Sequence, residues 1–198
     1  MGGHNAVLKD YIDVAVMNRL VPFLQSALSQ TRSVLPGLPL WLTETSSSSS
    51  GGTPNVADRF VAGFLWLDKL GVSSTMGVEA VFRQDFYGSN YGLLDSHLNP
   101  NPDYWLTLLF KRLVRGPVFN VTGASDVRVY AACANPDSFS LGALVIYLLN
   151  PNNYFVPVNL SQFPDQVYLL YILTAGDSDG LSFKVLGTEW SEAAVEWK

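Results

Sequence analysis

Cysteine is almost absent from this sequence. Cys133 stands alone among 198 residues, beside two histidines, His4 and His97. One thiol and two imidazoles distant in sequence do not make the clustered ligand set of a zinc site. A lone cysteine is ordinarily a small buried hydrophobe. No metal and no other cofactor is therefore expected. Basic charge is also short: 12 Lys and Arg against 17 Asp and Glu leave a net charge of -5. A surface that neutralises phosphates needs the opposite balance, so no nucleic-acid partner is expected. Long apolar runs are missing as well. The longest, Leu141 to Leu149, is strand-sized and falls short of the ~20 residues that span a bilayer, so no transmembrane segment is expected. The opening Met-Gly-Gly-His-Asn has no basic stretch followed by an apolar one, and no signal peptide is visible.

What the sequence has is apolar mass. Hydrophobic residues make up 48% of it, too much for a disordered tail, and the length allows one large domain or two small ones. Two glycosylation triplets, Asn120-Val-Thr122 and Asn159-Leu-Ser161, become acceptors only if the chain enters the secretory pathway.

Taken in order, residues 7 to 33 repeat apolar positions at helical spacing (Val7, Tyr11, Val14, Leu20, Leu24, Leu28). A break is expected near Val21-Pro22, because proline removes a donor. Leu38 to Glu44 is a short apolar run that ends in one carboxylate. It reads as a buried strand. Five serines at 46 to 50 read as a flexible low-complexity loop. Asp58 to Leu70 is the next helix, with Gly71 as its stop. Met76 to Phe82 is a second buried strand, running to Arg83-Gln84. A loop rich in aromatics and small residues follows, and Pro102-Asp103 opens a helix through Leu113.

Alternating helices and strands imply an α/β fold with a parallel sheet. Beyond Gly116-Pro117 the pattern changes to strand-length runs: Val118 to Val121, Val127 to Cys133, Leu141 to Leu149, Val167 to Leu173 and Leu181 to Val185. Gly, Pro, Asn and Asp punctuate them, as in an all-β region. The domain boundary is placed at about residue 117, giving units 1–116 and 117–198.

Glu44 sits at the carboxyl end of a parallel strand, the edge where alternating barrels do their chemistry. The other reading is an acid that only caps nearby loop amides, and position alone leaves both open. Two strands do not close a barrel, which needs about eight. The chain therefore reads as the downstream piece of a larger protein.

The stretch Pro39-Leu-Trp-Leu-Thr-Glu-Thr-Ser-Ser47 resembles the nucleophile segment of the heparanase family, retaining endo-β-glucuronidases of glycoside hydrolase family 79. Further motifs carry the resemblance in the same order: Phe60-Val-Ala-Gly-Phe-Leu-Trp-Leu-Asp-Lys-Leu-Gly71, Met76-Gly-Val-Glu79, Val81-Phe-Arg-Gln84, Gly88-Ser-Asn-Tyr91 and Pro102-Asp-Tyr-Trp-Leu106. Gly3-His-Asn-Ala6 with Asp10-Tyr11 is similar to the loop after that family's sixth barrel strand. Likeness continues more weakly through the β region, as at Val127-Arg-Val-Tyr-Ala-Ala-Cys133.

This resemblance implies a partial (β/α)8 TIM barrel, its last two strands, followed by an incomplete C-terminal β-sandwich. It implies Glu44 as the catalytic nucleophile, and Gly51, Gln84 and Tyr91 as substrate-binding residues. The implied partner is heparan sulfate or a related uronic-acid polysaccharide. An N-terminal barrel half would complete the site. The implied location is extracellular or lysosomal for the full-length protein.

The family's acid/base glutamate lies in an Asn-Glu-Pro segment that this sequence lacks, and Glu79, Glu189, Glu192 and Glu196 do not match it. The chain alone is therefore expected to be inactive. Ser49 and Ser50 replace a Tyr and a Gly of the family's uronate loop, and Ser89 replaces another glycine. His4 stands where the family has a basic side chain near the substrate. Cys133 matches a cysteine that pairs, in the family, with one near the C-terminus. Lys111, Arg112 and Arg115 suit a helix C-terminus or, alternatively, sulfate. Two other readings stay open: a non-hydrolytic heparan-sulfate binder like heparanase's inactive relative, and an incomplete gene model with no function of its own.

Overall fold

In the computed structural model, residues 6–122, 127–163, 166, 168–181, 183–190 and 194–195 are described. His4, Glu192 and Glu196 lie outside them.

The parallel pairing is present. Trp41–Thr45 (β1) lies beside Ala80–Arg83 (β2), with Trp41 opposite Ala80, Leu42 opposite Val81 and Thr45 opposite Arg83. The helix between them, Ala62–Thr75 (α3), starts and ends later than expected. Turns occupy residues 54–61, where Ala57 N–H reaches Thr53 O and Arg59 N–H reaches Val56 O. At the other end Gly77, at φ +83°, makes the left-handed turn that Gly71 was expected to make. Residues 76–79 close that turn, so β2 begins only at Ala80.

Gly71 lies inside α3 for a different reason. A Cβ there would stand 2.4 Å from the Tyr130 ring. Its absence lets the ring lie against the helix.

The N-terminal segment is a 3-10 turn (Leu8–Tyr11), α1 (Val14–Asn18) and α2 (Leu20–Val34). The break falls at Arg19. Pro22 sits in the first turn of α2, where a backbone N–H has no intrahelical acceptor and its loss is harmless. The helix Pro102–Leu113 (α4) keeps its expected bounds.

α4 passes directly into Val114–Phe119 (β3), which pairs antiparallel with Arg128–Ala134 (β4), and β4 with Leu144–Leu149 (β5). β3 runs through Pro117, at a register irregularity between Val114 and Val118, the kind of place where a strand tolerates proline. Val158–Asn159 (β6) pairs with Ala194–Val195 (β9), and Tyr168–Ala175 (β7) with Phe183–Trp190 (β8).

Two apolar clusters hold the helices and strands together. One joins Tyr11, Val16, Met17, Ala62, Leu65 and Tyr91. The other joins Leu20, Leu24, Val72 and Val78 to Tyr130 and Leu149. The second cluster therefore spans the change from alternating to all-β pattern. Asp68 on α3 reinforces it. It accepts from Arg128 Nε at 2.6 Å and from the Tyr130 hydroxyl, while Arg128 also donates to Asn18 at 3.0 Å. Burial is the main reason the Tyr130 hydroxyl titrates far above its ordinary value, with the Asp68 charge adding to it.

Candidate functional site

Glu44 is the penultimate residue of β1. Its side chain is exposed and has no hydrogen-bond or ion-pair partner among the described residues. The amide-capping role is thus not one it plays here. Next to it Thr45 turns inward, 9% exposed, and its carbonyl accepts the Gln84 N–H at 2.9 Å. That bond carries the pairing one residue past the end of β2 and fixes Gln84 beside the end of β1. The peptide bond between Gln84 and Asp85 is cis.

Two loops leave this edge and meet. After β1 the chain runs through the serines to Gly51 and Gly52, at φ +83° and +85°. After β2 it runs through residues 85–92, braced by Ser89 Oγ donating to Asp85 at 2.7 Å. Tyr91 N–H donates to Gly51 O at 3.3 Å, and Asn90 Nδ2 to Gly52 O at 3.1 Å. A Cβ on Gly52 would lie 2.7 Å from Ala57 Cβ and 3.0 Å from Tyr91 N. Only glycine lets the loops approach this closely.

The structure thus joins Gly51 to Tyr91 and seats Gln84 next to Thr45. Tyr91 is 5% exposed and belongs to the core. Its backbone N–H is what reaches the first loop, at Gly51, and its carbonyl accepts from Arg83 at the end of β2.

The serine run is not the flexible linker its composition suggested. Ser46 and Ser47 are buried, and Ser48 Oγ accepts the Tyr11 hydroxyl at 3.0 Å. Serines are small enough to pass under the N-terminal segment, and the Ser46 hydroxyl is buried there with no hydrogen-bond partner among the described residues. Burial raises the Tyr11 pKa, with the hydrogen bonds to the serines opposing it. Ser49 and Ser50 stay exposed.

Behind the edge lie charges that the sequence reading did not single out. Arg83 donates to the Tyr91 carbonyl through Nε at 3.2 Å and Nη2 at 2.5 Å. It stands 2.8 Å from the Asp103 carboxylate and 4.7 Å over the Trp66 ring. Neither Asp103 oxygen accepts a well-aligned hydrogen bond, so opposite charge is what binds the pair. Burial raises the Asp103 pKa, and Arg83 pulls it back. Lys69 is 4% exposed on α3 and donates to Thr45 Oγ1 at 2.5 Å and to the Ser46 carbonyl. Burial, and secondly the charge of Arg83, lowers its pKa to about 7. The available signal was a charged pair, Asp68-Lys69, inside a helix apolar on all sides.

The remaining candidates lie elsewhere. Glu79 accepts the Trp41 indole N–H at 3.1 Å, at the opposite end of the strands from Glu44. Arg115 belongs to β3, beyond the helix end, and pairs with exposed Asp137 at 2.8 Å. Cys133 is a free, half-buried thiol. Among the described residues, no group of three or more His, Cys, Asp or Glu is placed to hold a metal ion. No described helix is long and apolar enough to cross a membrane.

Comparison with known proteins completes the picture. No protein-family model matches the chain. Heparanase of Mus musculus is 42% identical over 182 residues, covering 86% of this chain and 34% of the mouse protein. The chain is heparanase-like. A hyaluronoglucuronidase of Hirudo nipponia is 37% identical over 93% of the chain and 40% of its own length. An inactive heparanase-2 of Mus musculus is 29% identical over 92% of the chain and 34% of its own length. The chain thus spans a little over a third of the length of these relatives. The heparanase-like chain also shares its fold with a 4-O-α-L-rhamnosyl-β-D-glucuronidase of Fusarium oxysporum. That match has a TM-score of 0.60 at 16% identity and covers 98% of this chain and 46% of that one.

Proposed function

We propose that this chain carries the nucleophile side of a retaining endo-β-glucuronidase that cleaves heparan sulfate or a related uronic-acid polysaccharide. In this reading residues 1–116 are the closing part of a (β/α)8 barrel, with β1 and β2 its seventh and eighth strands. Residues 117–198 are part of a β-sandwich. The full-length protein works outside the cell or in lysosomes.

One observation carries the reading: an exposed, unpartnered carboxylate, Glu44, at the carboxyl end of a parallel strand. In barrel enzymes that edge holds the reacting groups. A Glu44 oxygen attacks the anomeric carbon, and the glycosidic C–O bond breaks as the departing oxygen takes a proton from a second carboxylic acid. Water then hydrolyses the glycosyl ester and returns a proton to the second carboxyl group. Retention requires the two groups ~5–5.5 Å apart.

The second carboxyl group comes from chain outside these 198 residues, since they hold no Asn-Glu-Pro segment. Alone, they are inactive. The adjoining Trp41 and Phe82 rings, 51% and 47% exposed with centroids 5.7 Å apart and planes tilted by 42°, support an apolar face that the other barrel half covers. The Gly51 backbone amide meets the uronic carboxylate, the Gln84 side chain hydrogen-bonds the sugar, and Tyr91 holds Gly51 in place.

A second reading, a non-hydrolytic binder of the same polysaccharide, draws support from Ser49 and Ser50 and from the likeness to inactive heparanase-2. One experiment separates the two. In the full-length protein Glu44→Gln should retain heparan-sulfate binding and lose turnover by several powers of ten, on the order of 5 kcal/mol of barrier. Wild-type protein that binds the polysaccharide and never cleaves it supports the second reading.

A further inference from the structure

Lysine is almost never fully buried unless paired, and Lys69 is buried without an anionic partner. The ion pairs of the described residues join Arg59 to Asp58, Arg83 to Asp103, Arg115 to Asp137 and Arg128 to Asp68. None involves Lys69. The neighbouring acid on the same helix, Asp68, is engaged by Arg128 and Tyr130. The charge facing Lys69 from β2 is Arg83, of the same sign and tied to Asp103 of α4. Four apolar residues, Val16, Met17, Leu20 and Leu65, line the small void beside it together with Ser47 and Asp68. A cation here is costly. What it reaches are the side chain of Thr45 and the carbonyl of Ser46, the two residues that follow Glu44.

We propose that Lys69 is a positioning residue for Glu44, gripping the chain just past the nucleophile so that the end of β1 cannot twist or fray. This rests on the nucleophile reading of Glu44 above. The grip suits the place. The β1–β2 register shifts between Leu42 and Thr45, and the backbone turns out of the sheet into the serine loop immediately afterwards. Past that shift the backbone hold on the end of β1 is the Thr45–Arg83 pair and the Gln84 N–H bond to the Thr45 carbonyl. The two bonds from α3 supply the fixed point that a reacting carboxylate needs.

The test uses the full-length protein, the polysaccharide substrate and an activated fluoro-glucuronide that esterifies the nucleophile and counts active molecules. Lys69→Met should lower kcat per active molecule about a hundredfold, with KM within about twofold. Thr45→Val removes one of the two anchor points, leaves the buried amine its bond to the Ser46 carbonyl, and should lower kcat about tenfold. Thr45→Ser restores the hydroxyl and should recover most of it. Wild-type kcat in Thr45→Val, or equal losses in Thr45→Val and Thr45→Ser, overturns the proposal even if Lys69→Met fails to fold. So does a loss that appears only as fewer active molecules. If wild-type protein takes no label and cleaves nothing, the nucleophile reading itself falls, and this inference with it.

Discussion

The front and the back of one pair of strands differ sharply. At the front, the carboxyl edge of β1 and β2, Glu44 is exposed and unpartnered. At the back, Lys69, Arg83, Asp68 and Asp103 are buried, and each is fixed by named contacts. The difference separates two uses of charge. A charge left in water costs little to keep and is free to react. A charge taken into the core must be compensated, and it then holds a segment in a set place. Arg83 does so for the Tyr91 loop, and Lys69 for the end of β1.

The hardest way to break this arrangement is to strip a buried partner. Asp103→Ala leaves Arg83, whose side chain is 6% exposed, without its carboxylate. Removing one member of a buried pair typically costs about 3–5 kcal/mol. Urea unfolding of the full-length protein should show a loss of that order, and Asp103 should prove worth far more than any acid of the front edge.

Lys69 sharpens the comparison through pH. Its pKa is lowered from 10.5 to about 7 by burial and by Arg83. Between those values the unfolded chain holds a proton that the folded protein has released. Stability therefore rises with pH across that window. Below about pH 7 both states bind the proton, and its full cost is paid. The gain from pH 7 to 10 is on the order of a few kcal/mol. It should appear in denaturation of the wild type and be absent from Lys69→Met.

The smallest effect belongs to the exposed pair Arg115–Asp137, whose side chains are 63% and 74% exposed at a similar separation of 2.8 Å. Arg115→Ala should change stability by less than about 1 kcal/mol. Equal costs for Asp103→Ala and Arg115→Ala would erase the distinction between front and back.

Much of the frame was legible in the sequence. Periodicity and the Pro102 start signal gave α4 its bounds. The apolar run ending in Glu44 gave a parallel strand with that residue near its carboxyl end, but neither strand is buried as expected: Trp41, Thr43, Glu44 and Phe82 are exposed, because the described residues pack no second layer over them. What was not legible depended on contacts between distant segments. Gly71 reads as a stop and serves as a seat for Tyr130, because the ring arrives from far down the chain. Five serines read as a flexible tether and are partly buried, because Tyr11 packs over them. Asp103 reads as a helix-start acid, and its partner Arg83 is at the end of another strand. β3 begins earlier than its composition indicated, since its pairing with β4 accommodates Pro117 at an irregular register. In each case local pattern named the residue, and tertiary packing chose its use.

The measurement closest to the central claim is the site of covalent trapping. Full-length protein is treated with an activated fluoro-glucuronide, digested and mapped by mass spectrometry. A single glycosyl ester on Glu44, abolished by Glu44→Gln, is the result predicted here. Wild-type protein that cleaves the polysaccharide while its label lands on another residue, or a Glu44→Gln protein that still turns over, would contradict it.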